Sequence, residues 1–484
     1  MDDASPVVLA AAAGGALRSV CRHRPHVVAP CHPPRNASIR MVLRPVFALA
    51  LVAAVAACTP TTAARRAASP SPTAAGMDTA ALRRLASDTT APADSLAPRV
   101  MAACQDRRPA RVKCVETSLY YVLESSGIAR AMAVLDRMTE VDAELRREAH
   151  GLAHGLGIAA YQSPETVAAT FAACPNTQIS GCYHGVIQGY FLAQARATGE
   201  LTTAQLDALC SPHRGKSLLY SQCAHGMGHG LIALYRRDLP GALAACDRVT
   251  DAYARESCWG GAFMENIVGA THPGLTAEAH AHTAGGPAAA AAEPAGDEHA
   301  HHGAAEHAAS NSAARRWKAI DPDDPLYPCN AVADKYGYQC YLIQTAAILA
   351  QNGGDIPKTA RDCARAPTRL VHVCHASLGR DLTSYASRDP VQTAVLCSRA
   401  GAAAEADCLR GAAIALVDVE QDPGDGLALC RAAAGPPLKE ACYGAVIRWI
   451  ANTFAIGQRE SACAAAEPAF VDRCKAGQGD VVAR

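Results

Sequence analysis

Residues 340–374 read CYLIQTAAILAQNGGDIPKTARDCARAPTRLVHVC, and the cysteine spacing in this stretch recurs along most of the chain. Cys363 precedes Cys374, the last residue of the stretch, by 11 positions, and Cys374 lies 34 positions after Cys340, the first residue. Cys408 and Cys442 continue the step of 34. A period of 34 built from two apolar, alanine-rich segments is typical of stacked helical hairpins, in which each unit buries its apolar face against its neighbours.

Eighteen of the 21 cysteines form pairs of this kind, with members 8 to 13 positions apart. The predicted disulfide pairs are Cys104/Cys114, Cys174/Cys182, Cys210/Cys223, Cys246/Cys258, Cys329/Cys340, Cys363/Cys374, Cys397/Cys408, Cys430/Cys442 and Cys463/Cys474. Cys182 follows Cys114 by 68 positions, twice the period, so we place a unit without cysteines around Glu148. The sequence therefore predicts an all-α fold, an α-solenoid of about ten 34-residue helical hairpins stapled by disulfides.

Each predicted disulfide joins the end of one helix to the start of the next. An aspartate followed closely by a proline, as at Asp355 and Pro357, marks a helix start, because Asp caps a helix and Pro suits its first turn. Closing a loop of about ten residues contributes roughly 3 kcal/mol to stability. The alternative is free buried thiols, or zinc bound by groups of four cysteines, but zinc sites favour a Cys-x2-Cys spacing that the sequence lacks.

The N-terminal part of the sequence predicts export and anchoring. Residues 1–40 are rich in proline and arginine and are interpreted as an overcalled start. Residues 41–57 predict a lipoprotein signal peptide, because a short basic segment precedes an apolar run too short to span a membrane. Cys58 ends a lipobox and is the predicted lipidation site, and residues 58–98 predict a disordered tether. A plain secretory signal with an incidental cysteine is the alternative.

A lipid on Cys58 would attach the protein to a membrane surface without making it span the membrane. Disulfides need an oxidising compartment. We therefore expect a cell-envelope protein facing the periplasm or the exterior, with the outer membrane favoured because Thr59 is no inner-membrane retention signal. Lys and Arg total 45, as do Asp and Glu, so no basic field predicts nucleic-acid binding.

A low-complexity insert divides the predicted helical repeats into residues 99–269 and residues 318–484. The insert, residues 270–317, is rich in alanine, glycine and histidine. Its histidines are His272, His280, His282, His299, His301, His302 and His307. Such a tract chelates transition metals weakly in many arrangements, or it is simply a solvated loop.

Histidines recur at matching positions in successive units of the first half. Counted from the second cysteine of a unit, or from Glu148 in its place, positions two and six are four residues apart and share one helix face. These positions hold His150 and His154, then His184 and Gln188, then His225 and His229. Glu265 follows the corresponding positions in the next unit. Stacked hairpins present the same face, so these side chains should line one strip of the solenoid surface.

A cluster of imidazoles with a nearby carboxylate is a ligand set that zinc, iron or copper favours. The hypothesis is a transition-metal site formed by His150, His154, His184, His225 and His229. Glu265 is a candidate sixth ligand, and Gln188 a weak or supporting one. The alternative for each histidine is a satisfied core or capping residue. No His-Glu-x-x-His motif occurs, so a zinc peptidase is not predicted.

Many glycines flank these histidines within predicted helices, which indicates tight helix packing or a ligand against the backbone. The second half lacks the histidine pattern. His372 and His375 lie in another register and are interpreted as structural or solvent-facing, so this half is expected to be scaffold.

In period and cysteine placement, residues 100–484 resemble tetratricopeptide and Sel1-like repeats, especially cysteine-rich secreted forms. The resemblance implies an α-solenoid whose concave face binds a protein partner. It supplies no catalytic residue, and the glycine and histidine motifs belong to neither consensus.

Three classes of function remain open at this point. One is a metalloprotein that holds or delivers a metal ion. Another is a metalloenzyme with redox or hydrolytic chemistry, for which Glu265, Tyr190 and His213 are the candidate acids and bases. The third is an interaction scaffold without catalytic activity, in which the histidines merely pack.

Overall fold

The computed structural model describes residues 79–107, 110–195, 201–271 and 317–479. These residues form helices and turns with no β-strand among them, which confirms the predicted all-α fold. Up to residue 271 the helices are α1 (Thr79–Ala86), α2 (Ala93–Cys104), α3 (Arg111–Ser126), α4 (Ile128–Val141), α5 (Ala143–Ala160), α6 (Val167–Ala172), α7 (Gly181–Gln194), α8 (Thr203–Cys210), α9 (Ser217–Leu234), α10 (Leu239–Cys246) and α11 (Ala252–Thr271). From residue 317 they are α12 (Gly337–Tyr341), α13 (Thr345–Gln351), α14 (Ile356–Cys363), α15 (Val371–Tyr385), α16 (Pro390–Ser398), α17 (Glu405–Glu420), α18 (Gly424–Ala432), α19 (Pro436–Thr453), α20 (Arg459–Ala462) and α21 (Pro468–Ala476).

The helices alternate between shorter and longer members of hairpins. The longer ones stack side by side, α5 on α7, α7 on α9, α9 on α11, and later α15 on α17 and α17 on α19. Each longer helix buries residues on the face toward its neighbours, as a repeat fold requires. This stacking brings equivalent positions of consecutive hairpins next to each other.

All nine predicted disulfides form, with Cα atoms 5.3 to 5.8 Å apart, so the predicted pairing is confirmed. Helices α2, α8, α10 and α14 each end at the first cysteine of a pair. The second cysteine of each pair lies in the α-helix that follows, so each of these disulfides joins two consecutive α-helices. So many disulfides indicate an oxidising environment outside the cytoplasm.

The placement of Cys340 differs from the prediction. The repeat pattern places this cysteine at the start of a long helix and its partner Cys329 at the end of the helix before. Instead, Cys340 is the fourth residue of α12, a helix of only five residues, and Cys329 lies in a turn. The disulfide between them forms nevertheless, with Cα atoms 5.4 Å apart. The pairing of Cys340 is therefore confirmed, but the expectation that it opens a long helix is wrong.

Cys340 does not open a long helix because the helix breaks directly after Tyr341. Residues 342–344 separate α12 from α13, and side chains bind carbonyl groups at and around the break. Arg380 donates to the carbonyl oxygen of Leu342 at 2.9 Å, and Gln344 donates to those of Pro325 and Tyr327 at 2.9 and 2.8 Å. These contacts stabilise the break. They come from side chains outside the cysteine spacing, so the repeat pattern alone does not reveal them.

Aspartate side chains cap several helix starts as the sequence predicts. Asp355 accepts a hydrogen bond of 2.8 Å from the backbone nitrogen of Lys358, and Asp389 accepts one of 2.8 Å from that of Gln392. Before α18 the arrangement differs, because Pro423 itself occupies the capping position rather than the first helical one.

Helix α1 and the first half of α2 lie within residues 58–98, where the sequence predicts a tether. Leu82, Ala86 and Leu96 are buried there, so the helical part of the chain starts earlier than the composition indicates. The predicted signal peptide at 41–57, the predicted lipidation site Cys58 and the seven histidines of the insert lie outside the described residues. Among the helices described, none combines the length and apolar character that crossing a membrane requires.

The hydrophobic core continues past the insert. One cluster of buried side chains extends from Leu82 to Cys374 and a second from Leu349 to Cys474, so the core divides within the second half rather than at the insert. The second half also returns to contact the first: α17 packs on residues 178–180, and Arg146 donates to the carbonyl oxygen of Ser387 at 3.4 Å.

Candidate metal centre

The structure brings the five predicted histidines together. His150 and His154 lie on α5, His184 on α7, and His225 and His229 on α9. Neighbouring rings in this group have centroids 4.6 to 5.7 Å apart. We call these five side chains the histidine cluster.

Glycines allow the three helices to approach closely enough for the rings to meet. A Cβ atom at Gly185 on α7 would overlap the backbone oxygen of His154 on α5. A Cβ atom at Gly228 on α9 would overlap the backbone oxygen of Cys258 on α11. Of the two sequence interpretations of the glycines, tight helix packing is therefore the one that the structure supports.

The histidine cluster is an interior site, whereas the sequence predicts a strip on the solenoid surface. His154, His184 and His229 are 5%, 2% and 1% exposed, and the other two rings are half-buried. Arg380 and Arg388 of the second half lie close enough to influence the charge state of His225 and His150, respectively. The repeats of the second half therefore fold back and place side chains beside the cluster, in addition to the scaffold role that the sequence predicts for them.

Each histidine of the cluster is held by a partner on its outer side. His150 Nδ1 donates to the carbonyl oxygen of Gln178 at 2.9 Å, and His229 Nδ1 donates to Glu265 Oε2 at 2.9 Å. A hydrogen bond from His225 to the backbone of Ser257 holds the fifth ring. Such bonds fix the tautomer and orientation of a ring, as is usual for histidines that bind metals.

The remaining two rings are oriented by glutamines. His154 Nδ1 donates to Gln188 Oε1 at 3.2 Å, and His184 Nε2 donates to Gln222 Oε1 at 2.6 Å. An amide oxygen only accepts, so each of these ring nitrogens carries the single proton of a neutral imidazole. With the two amide groups oriented as they are in the structure, His154 Nε2 and His184 Nδ1 carry no proton, and they face each other at 3.3 Å.

Two facing lone pairs repel unless a cation lies between them. Two imidazole nitrogens bound at about 2.0–2.1 Å to one tetrahedral ion lie about 3.3 Å apart, so the observed separation of His154 and His184 fits a shared metal ion. Within the described residues, the buried Nε2 atoms of His225 and His229 have no hydrogen-bond partner, so they are also available to bind a metal ion.

Two overlapping groups of three histidines have ligand atoms within 4.8 Å of one another. One group is His150, His154 and His184, and the other is His184, His225 and His229. His184 belongs to both, so it is the centre of the histidine cluster. The residues present thus fit a transition-metal ion by donor type, protonation and spacing.

Burial keeps the histidine cluster neutral. It lowers the pKa of His150 to about 4 and that of His229 to about 3. Burial also lowers the pKa values of His154, His184 and His225 well below the usual 6.5, and the neighbouring imidazoles add to the effect. Neutral imidazoles have free lone pairs at physiological pH, which is the form that binds metals.

Glu265 lies behind His229 rather than among the ligand nitrogens. It is 3% exposed and is in neither group of three histidines. We therefore assign Glu265 the role of orienting His229, which corrects the expectation that Glu265 completes the ligand set. Gln188 likewise supports His154, in agreement with the supporting role expected from the sequence.

The other candidates have contacts of different kinds. His213 packs on the ring of Phe171, and Tyr190 packs on Tyr161. His375 is buried and its Nε2 donates to the carbonyl oxygen of Ala360 at 3.2 Å, which is the structural role expected for it. We therefore find no acid or base beside the histidine cluster in Tyr190 or His213.

Sequence reasoning missed Gln178, Gln222 and Ser257, which orient His150, His184 and His225. Gln222 directly precedes Cys223, but the equivalent positions of most other units do not hold a glutamine, so the period gives no clear signal for it. The contributions of Gln178 and Ser257 come from backbone groups, which a residue pattern cannot reveal.

Comparisons with models of protein families, with curated proteins and with solved structures found no match to this chain. The fold is therefore described as a cysteine-rich helical repeat, and membership of the tetratricopeptide or Sel1-like families stays a prediction.

Proposed function

We propose that this protein is an extracytoplasmic metalloprotein that binds one transition-metal ion, zinc, iron or copper, through the histidine cluster. The observation that supports it best is the meeting of five imidazoles from three helices, with His184 shared by two groups of three whose ligand atoms lie within 4.8 Å of one another. The facing nitrogens of His154 and His184, 3.3 Å apart, add to this support, because two buried acceptors with neither a proton nor a cation between them would cost about 1–3 kcal/mol.

The site favours holding a metal ion over catalysing hydrolysis. The two overlapping groups of three contain five imidazoles, more donors than the three protein ligands of a typical hydrolytic site, which keeps one position open for water. Burial of the rings also keeps bulky substrates away from the ion. Storage, delivery or electron transfer by the bound ion are therefore the functions that the geometry supports best.

Cobalt titration provides a direct test, because tetrahedral cobalt(II) bound by imidazoles absorbs visible light. We expect one cobalt(II) per chain in the intact protein and loss of the visible bands in His184→Ala, which removes the histidine shared by both groups. His375→Ala is the matched control, because this histidine is also buried but lies outside the cluster. An unchanged spectrum in His184→Ala, or no binding by the intact protein, would leave the interaction scaffold as the better interpretation.

We propose in addition that Cys58 carries a lipid that anchors the protein to the outer membrane. The lipobox ending at Cys58 supports this proposal, together with the disulfides that require export. Mass spectrometry of the N-terminal peptide tests it, since lipidation predicts an acylated Cys58 and the release of Cys58→Ser from membranes. A protein partner on the concave face also stays a proposal, but one that does not bind the histidine cluster, because the chain itself covers it.

A further inference from the structure

Residues 178–180 form a strained segment at the edge of the histidine cluster. Gln178, Ile179 and Ser180 have φ values of 51°, 55° and 61°, so three consecutive residues other than glycine adopt the left-handed conformation. Each such residue costs about 1–2 kcal/mol, and a branched residue such as Ile179 rarely adopts it. Strain of this kind persists only where the surroundings hold it, and it is common at ligand sites.

The surroundings hold Gln178 by both its backbone and its side chain. Its carbonyl oxygen accepts the hydrogen bond from His150 Nδ1. Its side-chain nitrogen donates to Asp136 Oδ1 at 2.7 Å and to Thr139 Oγ1 at 3.2 Å. Gln178 is 5% exposed, so these bonds are made in the interior. The left-handed turn at Gln178 is what directs its carbonyl group toward His150.

The fourth contact of Gln178 comes from the second half of the chain. Arg388 Nη2 donates to Gln178 Oε1 at 3.4 Å. Arg388 and the preceding Ser387 are themselves left-handed, with φ values of 65° and 52°, and the carbonyl oxygen of Ser387 accepts from Arg146 on α5. Helix α17 also packs against residues 178–180. Two strained segments from distant repeats therefore meet beside His150.

We infer that Gln178 is a positioning residue of the metal centre and that Arg388, acting through Gln178, makes the second half of the chain set how tightly the ion is held. The inference rests on the proposed function. His150 is oriented by Gln178, and Gln178 is in turn held by Arg388 from the second half of the chain. Removing the Arg388 contact leaves the Gln178 side chain held only by Asp136 and Thr139, so the turn relaxes and the carbonyl group shifts away from His150.

A double-mutant cycle with zinc tests this coupling in the full chain. Arg388→Met removes the donor while keeping a long, flexible side chain, and it is measured alone and combined with His150→Ala by competition with a chromophoric chelator. Because loss of a partner that orients a ligand costs about 10–100-fold in affinity, we expect Arg388→Met alone to weaken zinc binding about tenfold. In the His150→Ala background it should have no further effect. The control Arg369→Met removes a surface ion pair with Asp334 and should bind zinc as the intact protein does.

Equal losses in both backgrounds, or no loss in either, would overturn the inference. A second measurement separates this failure from failure of the proposed function. In metal-free protein, the nitrogen NMR shifts of the His150 ring should show a proton on Nδ1, and Arg388→Met should change that signal while leaving His229 unchanged. If the intact protein binds no zinc, the proposed function fails, while these shifts still decide whether Arg388 and Gln178 position His150.

Discussion

His229 and Glu265 are joined by a buried hydrogen bond of 2.9 Å, in which Nδ1 of the ring donates to Oε2 of the carboxylate. The two side chains are 2% and 4% exposed. The bond directs Nε2 of His229 toward the other rings of the histidine cluster. A carboxylate in this position also raises the basicity of the ring and so strengthens its bond to a metal ion.

Replacing this carboxylate should weaken metal binding without removing a ligand. Glu265→Gln keeps an oxygen that accepts from His229 but loses the charge, so we expect the zinc affinity to fall about tenfold or more. Competition titration measures the change. Glu140→Gln is the control, because the Glu140 carboxylate is 53% exposed and pairs with Arg137 on the surface. Equal affinities of Glu265→Gln and the control would show that the carboxylate does not support the ligand.

Adding one methyl group between α5 and α7 should disturb both the fold and the histidine cluster. Gly185→Ala places a Cβ atom against the backbone oxygen of His154, and overpacking of this kind costs about 1–3 kcal/mol. Urea unfolding should show this loss, and zinc affinity should fall because His154 and His184 move apart. Gly457→Ala meets open space and should change neither quantity by much. If both alanine variants behave alike, the close approach of the helices is not needed.

The metal-free protein should lose stability as the pH falls from about 6.5 to about 4. Burial lowers the pKa of His150 to about 4 and of His229 to about 3, while the unfolded chain binds these protons below about 6.5. The unfolded state then holds more protons, so each such histidine lowers the free energy of unfolding by about 1.4 kcal/mol per pH unit.

Asp418 and Asp136 act in the opposite sense, because burial raises the pKa of Asp418 to about 6 and that of Asp136 above its usual value, so the folded state gains protons there. These two carboxyl groups offset at most two of the five histidines, so the histidine cluster should dominate. Urea midpoints at pH 7, 6 and 5 measure the slope, and His184→Ala with His225→Ala should reduce it. A free energy of unfolding that rises with acidity would contradict the neutral, buried state of these rings.

Disulfides should contribute to metal binding according to their place in the solenoid. The Cys174–Cys182 disulfide fixes the start of α7, close to His184, whereas Cys463–Cys474 lies in the last hairpin. Each removal should cost about 2–5 kcal/mol of local stability. Because each hairpin contacts mainly its neighbours, only the double serine variant of the first pair should bind zinc more weakly. Equal effects of the two double variants would contradict this local coupling.

The fold was predictable because cysteine spacing and helix capping are local properties of the sequence. The alignment of His150, His154 and His184 was predictable for the same reason, since stacked hairpins bring equivalent positions together. The burial of the histidine cluster was not, because it depends on how far the superhelix turns over many repeats. Arg388 and Gln178 meet across 210 positions, and no repeat period encodes that contact.

The surroundings of Cys340 show the limit of the repeat period within a single unit. The spacing correctly paired Cys340 with Cys329, because a disulfide needs only that the two cysteines meet. It could not show that the helix stops after Tyr341, because that break depends on Arg380, which reaches the carbonyl oxygen of Leu342 from the next long helix.

The role of Glu265 was misread because of its register. Its offset places it one residue beyond the ligand positions, which suggested a carboxylate beside the ion, but a shift of one residue on a helix turns the side chain by about 100°. The carboxylate therefore reaches the outer nitrogen of His229 instead of the centre of the histidine cluster.

X-ray absorption spectroscopy of the purified, disulfide-bonded protein, with elemental analysis of the same sample, tests the central claim most directly. The account predicts one zinc, iron or copper ion per chain, surrounded by at least four imidazole nitrogens, at about 2.0–2.1 Å if the ion is zinc. The His184→Ala protein should lose the ion or show fewer imidazoles. A folded, disulfide-bonded protein without stoichiometric metal, or with an ion bound mainly by oxygen or sulfur, would contradict it.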